Sequence, residues 1–401
     1  MVKTCRKYWT KEIADSIVQL ERIVFDNPQF SLETTFDTAD FSRVLTDDFG
    51  VDGGVVDAFF AELGKMDFFD DNRETARGLF ERFFPGRSDV VRFLMEPITY
   101  ANGSTLDEPA ITYGIVFSNF MNRGVYTVSG GTDWLMKAME TELRANGVDI
   151  VKRTGVEKII VDGGRAAGVV VGGREIRARS VLSNANLKAT VLDLIGRENL
   201  PSDFAALADR MRLSTSSAQV YMGVREGDRI PDIGDLLFTS TAPEFDTDLL
   251  LSRDVTSRTF SVYYPKTRPG LDRYTIVASM NARYEDWSGL DEEEYAASKK
   301  DLAETTLDAL EKYLPDARDR IDYVEVATPK TFERYTGHLR GASFGTKFEG
   351  LKVSRDLPKV LPGAFHTGSA AIIMSGWLGA ANYGVIVANH LDEYLDKTAR
   401  P

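Results

Sequence analysis

The sequence predicts an α/β fold in which two domains interleave along the chain. Three observations carry this. The chain has 401 residues, more than the roughly 250–300 at which a single hydrophobic core stops growing. Stretches with helical periodicity alternate with short apolar runs of strand character. No Ser/Gly-rich linker and no internal repeat divides the chain, so the domains must exchange segments instead of following one another.

Taken in order, residues 10–25 read as an amphipathic helix, with Ile13, Ile17, Leu20 and Ile23 or Val24 on one face. Residues 30–95 read as mostly helical and hold 12 of the 23 phenylalanines, including the pairs Phe59-Phe60, Phe68-Phe69 and Phe83-Phe84. Two readings of that density stay open: a packed aromatic core, or an apolar substrate tunnel or membrane-dipping surface. Gly50-Val51-Asp52-Gly53-Gly54 reads as a turn between helices. Ser129-Gly130-Gly131-Thr132-Asp133 reads as a turn into a helix whose apolar face is Trp134, Leu135, Ala138, Met139 and Leu143, closed by Asn146-Gly147. Strands are expected at Val148–Val151 and Val156–Val161. Hairpin turns follow at Asp162-Gly163-Gly164 and Gly172-Gly173, with Ala167–Val171, Arg174–Ala178 and Ser180–Leu182 as further strands. Ala218–Val224, Thr259–Tyr264 and Tyr274–Met280 alternate like antiparallel strands. Residues 292–314 form a charged helix with Leu302, Leu307, Leu310 and Tyr313 inward, and Ile321–Val326 is another strand.

Composition excludes several classes. Lys and Arg number 48 against 61 Asp and Glu, a net charge of −13, which disfavours a nucleic-acid surface. Cys5 is the sole cysteine, so no internal disulfide or thiol pair forms. The three histidines, His338, His366 and His390, are scattered, and no metal site is expected. Met1–Lys11 has basic residues but no apolar stretch behind it, which points to the cytoplasm by default. Val360–Leu391 carries no Asp, Glu, Lys or Arg, a length able to span a bilayer. Its Pro362, Gly363, Gly368, Gly376, Gly379 and Gly384 favour a buried segment beside a large ligand over a spanning helix.

The combination is more specific than its parts. A GG-x-x-x-L helix start, Asn-Gly, Val156-Glu157-Lys158-Ile159, a glycine hairpin, Gly168-Val169 and Ser183-Asn184-Ala185 resemble the middle of the phytoene desaturase-like flavoproteins (the carotenoid desaturase and retinol saturase type), within the wider flavin amine oxidase group. Phe332-Glu333-Arg334-Tyr335-Thr336 with Gly341 and Gly345, then Gly368, Gly376-Trp377-Leu378-Gly379-Ala380 and Gly384, resemble that family's approach to its cofactor. The resemblance runs from about Phe30 to His390. It implies that Gly130 and Gly131 lie near the flavin ring, that Val156 meets the adenine through its backbone, and that Ser183, Asn184 and Ala185 line the flavin cleft. It further implies that Gly368 and Ser369 approach the pyrophosphate and ribityl chain, and that Gly376 opens the loop and helix start covering the flavin. There Leu378, Gly379 and Ala380 present N–H groups to the ring, a donor set that would stabilise an anionic reduced flavin.

One departure stands out. The family's strand, G-x-G-x-x-G turn, helix and following acidic residue, which grip the FAD pyrophosphate and ribose, do not occur in this sequence. The FAD site is therefore expected to be incomplete in this chain. A second polypeptide carrying the unit, a truncated start, or loss of the cofactor would each account for it, and an exposed sheet edge would favour a partner or a homo-oligomer. The expected organisation is a partial FAD-binding domain of glutathione reductase-like type, from 126–205 and 330–401, interleaved with an α+β substrate-binding domain from 1–125 and 206–329. The resemblance implies FAD-linked desaturase or saturase chemistry on a hydrophobic isoprenoid- or retinoid-like substrate, in the cytoplasm or peripheral to a membrane. The alternative is a non-catalytic partner subunit or lipid-binding module that kept the fold without the cofactor. No residue is singled out as a catalytic acid or base.

Overall fold

A computed structural model of the chain describes residues 10–66, 74–265, 273–371 and 376–399. The Phe68-Phe69 pair lies outside them. The chain runs through β1 (Ile17–Leu20), β2 (Ile23–Asp26), β3 (Ser31–Thr34), α1 (Gly53–Leu63), α2 (Ala76–Phe83), α3 (Ser88–Asn102), α4 (Ala110–Arg123), β4 (Val125–Val128) and α5 (Gly131–Ala145). There follow β5 (Lys158–Asp162), β6 (Arg165–Val171), β7 (Arg174–Arg177), β8 (Val181–Ser183), α6 (Ser202–Arg210), β9 (Ser216–Val224), β10 (Leu236–Ser240), β11 (Ser257–Tyr263) and β12 (Thr275–Ala282). The remainder is α7 (Glu292–Glu311), β13 (Ile321–Ala327), α8 (Pro329–Thr336), α9 (Gly350–Val360), β14 (Ala364–His366) and α10 (Gly376–Ala399).

Contacts divide the chain into two compact units, Met1–Val148 with Ser217–Thr328, and Asp149–Ser216 with Pro329–Pro401. Each unit is made of two separated stretches of chain, with limits other than 126–205 with 330–401 and 1–125 with 206–329. Residues 126–148 fall in the first unit because β4 pairs antiparallel with β1 (Val128 opposite Ile17) and α5 follows directly.

The first unit is built on a seven-stranded sheet in the order β13-β9-β12-β11-β10-β2-β3. β2 enters it parallel to β10 and antiparallel to β3. This corrects the helix expected over 10–25. The helix covers only Lys11–Asp15, and the chain then forms β1 and β2. Ile17, Val18, Ile23 and Val24 are β-branched, and their spacing suits two short strands as well as a helix; cross-strand pairing decides. One sheet face packs against α7. Ala218, Val220 and Met222 of β9, Phe260 and Val262 of β11, and Ile276 and Ala278 of β12 meet Leu302, Leu307 and Leu310. Asp291 and Glu294 form a reciprocal capping box that fixes where α7 starts.

At the β2–β10 end, Phe25 and Phe238 join the phenylalanines of the helical segment in a second cluster. Phe59 is fully buried, with ring centroids of Phe84, Phe83 and Phe60 at 5.0, 5.5 and 5.7 Å. Phe41 stacks on Phe93 at 4.5 Å, and Phe117 is fully buried. These rings pack on one another, which is the packed-core reading. Inside it, Arg92 and Glu96 are each 1% exposed and bonded at 3.3 Å. Gln29 Oε1 and the Ala242 carbonyl take further guanidinium protons, at 3.2 and 3.0 Å. Removing one partner of so buried a pair costs ~3–5 kcal/mol. Of the Gly50–Gly54 turn, Gly50-Val51-Asp52 leads into α1 and Gly53 and Gly54 are its first two residues, with Asp52 accepting from the Gly54 and Val55 N–H groups.

In the second unit β5, β6 and β7 form an antiparallel meander. Its two-residue turns need positive φ at both positions, and Gly163, Gly164, Gly172 and Gly173 supply it (φ 57°, 72°, 57° and 70°). The strand expected at Val148–Val151 is absent. Residues 148–157 are irregular, Val151 is 74% exposed, and β5 begins at Lys158. Apolar side chains there are not enough without a ladder partner. β8 and β14 lie parallel, with His366 opposite Ser183. α9 packs beneath them through Val353 and Leu357, joined by Leu361 just past its end and by Leu187, Val191 and Phe204. Phe365, Tyr383 and Val387 pack α10 along β14. Among the described residues no helix is long and apolar enough to cross a membrane. The charge-free stretch becomes β14 and the start of α10.

Candidate active site

In an open α/β sheet, ligands sit beyond the carboxyl ends of parallel strands. β8 and β14 end side by side, and the Thr367 N–H donates to the Ser183 carbonyl at 2.9 Å. From those ends run Asn184-Ala185-Asn186 and Thr367-Gly368-Ser369. The sequence therefore folds Ser183, Asn184, Ala185, Gly368 and Ser369 into one place. Asn184 and Ala185 are exposed, Ser369 is half-buried, and Ser183 and Gly368 are buried. Ser183 Oγ is engaged within the turn, to Thr190 Oγ1 at 2.8 Å and to the Ala185 N–H at 3.2 Å.

Gly368 is required twice over. Its φ is 83°, and a Cβ there would collide with Asn184 Oδ1. Gly345, at φ 72°, likewise has Ser369's carbonyl where a Cβ would stand. Gly376 opens α10 at φ 67°. A helix leaves its first N–H groups without intrahelical acceptors; Gly376, Trp377 and Leu378 fall in that turn, with Gly379 and Ala380 next along. Val156 is exposed just before the ladder, which begins as the Glu157 N–H donates to Val170 at 2.9 Å. Gly130 and Gly131 belong to the other unit. Gly130 caps α5 in the left-handed region at φ 83°, and Gly131 has φ 77°.

His366 carries no local signal, yet it is a hub. It is 1% exposed at the end of β14. Nε2 lies 2.9 Å from the Ala185 carbonyl, so it carries the proton. A neutral imidazole then accepts at Nδ1, here from Ser354 Oγ at 3.1 Å, and Tyr383 O–H donates to Ser354 at 2.7 Å. Burial drives the His366 pKa down to about 4, opposed by the bond to Ala185 and assisted by His338. The Ser–His contact is no hydrolytic pair, because both side chains are sealed from substrate. It fixes Ala185, and with it the turn facing Gly368.

The first unit offers a second set, also missed. On the sheet face opposite α7, Tyr221 donates to Gln219, Gln219 Nε2 donates to Ser279 Oγ at 3.2 Å, and Tyr323 donates to Glu325. Burial raises the Tyr221 pKa, and the charge of Glu325 and the neighbouring Tyr263 raise it further. Two phenols and a carboxylate can hold and pass a proton. The signal was present as period-2 alternation: Gln219 and Tyr221 occupy the polar positions of an otherwise apolar strand. Among the described residues no cluster of His, Cys, Asp and Glu could hold a metal.

Parallel strand ends followed by glycine turns are the arrangement in which α/β proteins hold nucleotide cofactors. Residues 33–371 match the model of the flavin containing amine oxidoreductases, and the chain belongs to that family. It is 27% identical over 310 residues to the chloroplastic prolycopene isomerase of Arabidopsis thaliana, covering 74% of this chain and 51% of that protein. It is 29% identical over 297 residues to the all-trans-zeta-carotene desaturase of Myxococcus xanthus, covering 69% and 54%. The chain thus spans about half the length of the curated relatives it matches. In fold it is similar to an oxidoreductase from Methanosarcina mazei, with a TM-score of 0.62 at 16% identity over 94% of this chain and 83% of that one.

The family implies a flavin, and the second unit's residues fit one. Asn186 Nδ2, Ser343 Oγ and Thr367 Oγ1 are buried without a hydrogen-bond partner among the described residues. Leaving such groups unsatisfied costs ~1–3 kcal/mol each. A ligand rich in acceptors, approaching glycine backbone that admits no Cβ, answers both features.

Proposed function

We propose that this chain provides the substrate-binding part and a portion of the flavin site of a flavin-dependent oxidoreductase that acts on isoprenoid substrates of the carotenoid type. The observation that carries the reading is the family match over 33–371, with relatives named for carotenoid conversion aligned over about 70% of the chain. When bound, the flavin supplies the hydride-accepting or hydride-donating ring. The chain's own residues do the rest. Asn184, Ala185, Gly368 and Ser369 hold the cofactor by backbone and side-chain polar groups, with His366 fixing their turn. Gly130, Gly131, Val156 and the start of α10 are assigned to its ring and adenine on family resemblance. The Tyr221, Gln219, Tyr323 and Glu325 face binds substrate and holds or moves protons. The sequence contains no G-x-G-x-x-G turn, so in this reading the pyrophosphate grip comes from outside these 401 residues.

The test is purification from the native host under non-denaturing conditions. Flavin absorbance should follow this chain, and anaerobic addition of a polyene isoprenoid should change the flavin's redox state. Flavin-free material, or a flavin indifferent to polyenes but responsive to small amines, would overturn the proposal.

A further inference from the structure

On the α7 side of the sheet, β11 carries Arg258, only 6% exposed. Its guanidinium donates to Thr305 Oγ1 at 3.1 Å, Thr306 Oγ1 at 3.2 Å and the Val255 carbonyl at 3.3 Å. All three acceptors are neutral, and among the described residues no carboxylate pairs with it. Asp308, whose charge reaches it through space, is bonded by Arg318 at 2.6 Å. A buried cation with no carboxylate bonded to it is held at a penalty of several kcal/mol. Burial lowers the Arg258 pKa accordingly. An apolar residue would fill the position at no such cost, so the charge is kept for something that is to meet it.

Arg258 lines a cavity of about 520 Å³. That volume is typical of small-molecule sites. Ala218, Ala282, Trp287 and Leu302 give it a buried apolar floor, and Thr256 and Thr305 add hydroxyls to its wall. Asn281 also lines it, but its amide nitrogen already donates to the Thr99 carbonyl at 2.8 Å. The rim is exposed and carries Asp254 and Asp301 beside Arg253, with Asp286 half-buried between. One cation deep in an apolar floor selects a single negative charge on an apolar body, while carboxylates at the mouth oppose a dianion such as phosphate. We propose that this cavity binds a small monoanionic carboxylate, its carboxylate paired with Arg258 and its hydrocarbon against Trp287 and Leu302. The site lies within one unit and shares no residue with the flavin cradle or the Tyr221 face.

Calorimetric titration of the full chain with octanoate, octan-1-ol and inorganic phosphate tests this. Octanoate should bind at one site, octanol and phosphate at least tenfold more weakly. Arg258→Met should weaken octanoate at least tenfold while the ligand-free protein melts no lower than wild type. Ala297→Trp, which places bulk at an exposed lining position of α7 without touching Arg258, should abolish octanoate binding and leave the fold intact; it decides the matter even if Arg258→Met fails to fold. Absence of octanoate binding up to millimolar concentration, equal binding of both variants and wild type, or phosphate binding tighter than octanoate would each overturn the assignment.

Discussion

His366 predicts a specific dependence of stability on pH. Its folded pKa is about 4 against an ordinary 6.5. The unfolded chain therefore takes up a proton on this side chain at higher pH than the folded protein does. The stability that neutral His366 contributes is complete above pH 6.5 and is lost as pH falls toward 4. At 1.36 kcal/mol per pKa unit, the loss is about 2 kcal/mol by pH 5 and about 3 kcal/mol by pH 4. Other groups move in different windows. Burial raises Asp356, but Lys352 and Lys359 outweigh it and bring its pKa to about 2, so it matters only in stronger acid. Glu96 is pushed up by burial, against Arg92 and Tyr100, and so favours the fold as pH falls. Comparison with a variant lacking the imidazole cancels both. Urea unfolding of wild type and His366→Asn at pH 7.5, 6 and 5 is the assay. Wild type should lose about 2 kcal/mol more than the variant between pH 7.5 and pH 5, although the variant is the less stable at neutral pH. Parallel curves would refute the buried, neutral imidazole and with it the Tyr383–Ser354–His366–Ala185 relay.

Gly368→Ala must adopt a positive φ and displace Asn184, so it should cost ~1–2 kcal/mol in backbone strain alone and lower flavin content, read by denaturation and flavin absorbance. Phe59→Ala should cost ~3–5 kcal/mol through cavity formation and leave polyene binding unchanged; a near-neutral variant with altered ligand affinity would restore the tunnel reading for this ring. Tyr221→Phe removes one hydroxyl from a half-buried face, so melting should stay close to wild type while turnover of the flavin-loaded enzyme falls. Unchanged turnover would remove this face from the chemistry.

The class of fold and most element positions were legible in the residues. The glycine pairs at 163–164 and 172–173 mark their turns because only glycine meets φ above zero without penalty. The alternation of β9, β11 and β12 and the leucine spacing of α7 mark their faces because period alone sets which side is buried. Backbone positions of the candidate site that need glycine, such as Gly368 beside Asn184, left a glycine signal. Others left none. Ile17–Leu20 and Ile23–Asp26 fit a helix locally and become strands because β4 and β10 offer them ladders. His366 looks like an isolated histidine until the fold brings Ala185, Ser354 and Tyr383 from distant segments to its two nitrogens. Arg258 is one of many arginines until β11 turns it inward, toward neutral oxygens and an apolar floor. Local sequence determines conformation where one residue or one period suffices. Tertiary structure decides wherever a side chain's meaning is the set of partners that burial leaves it.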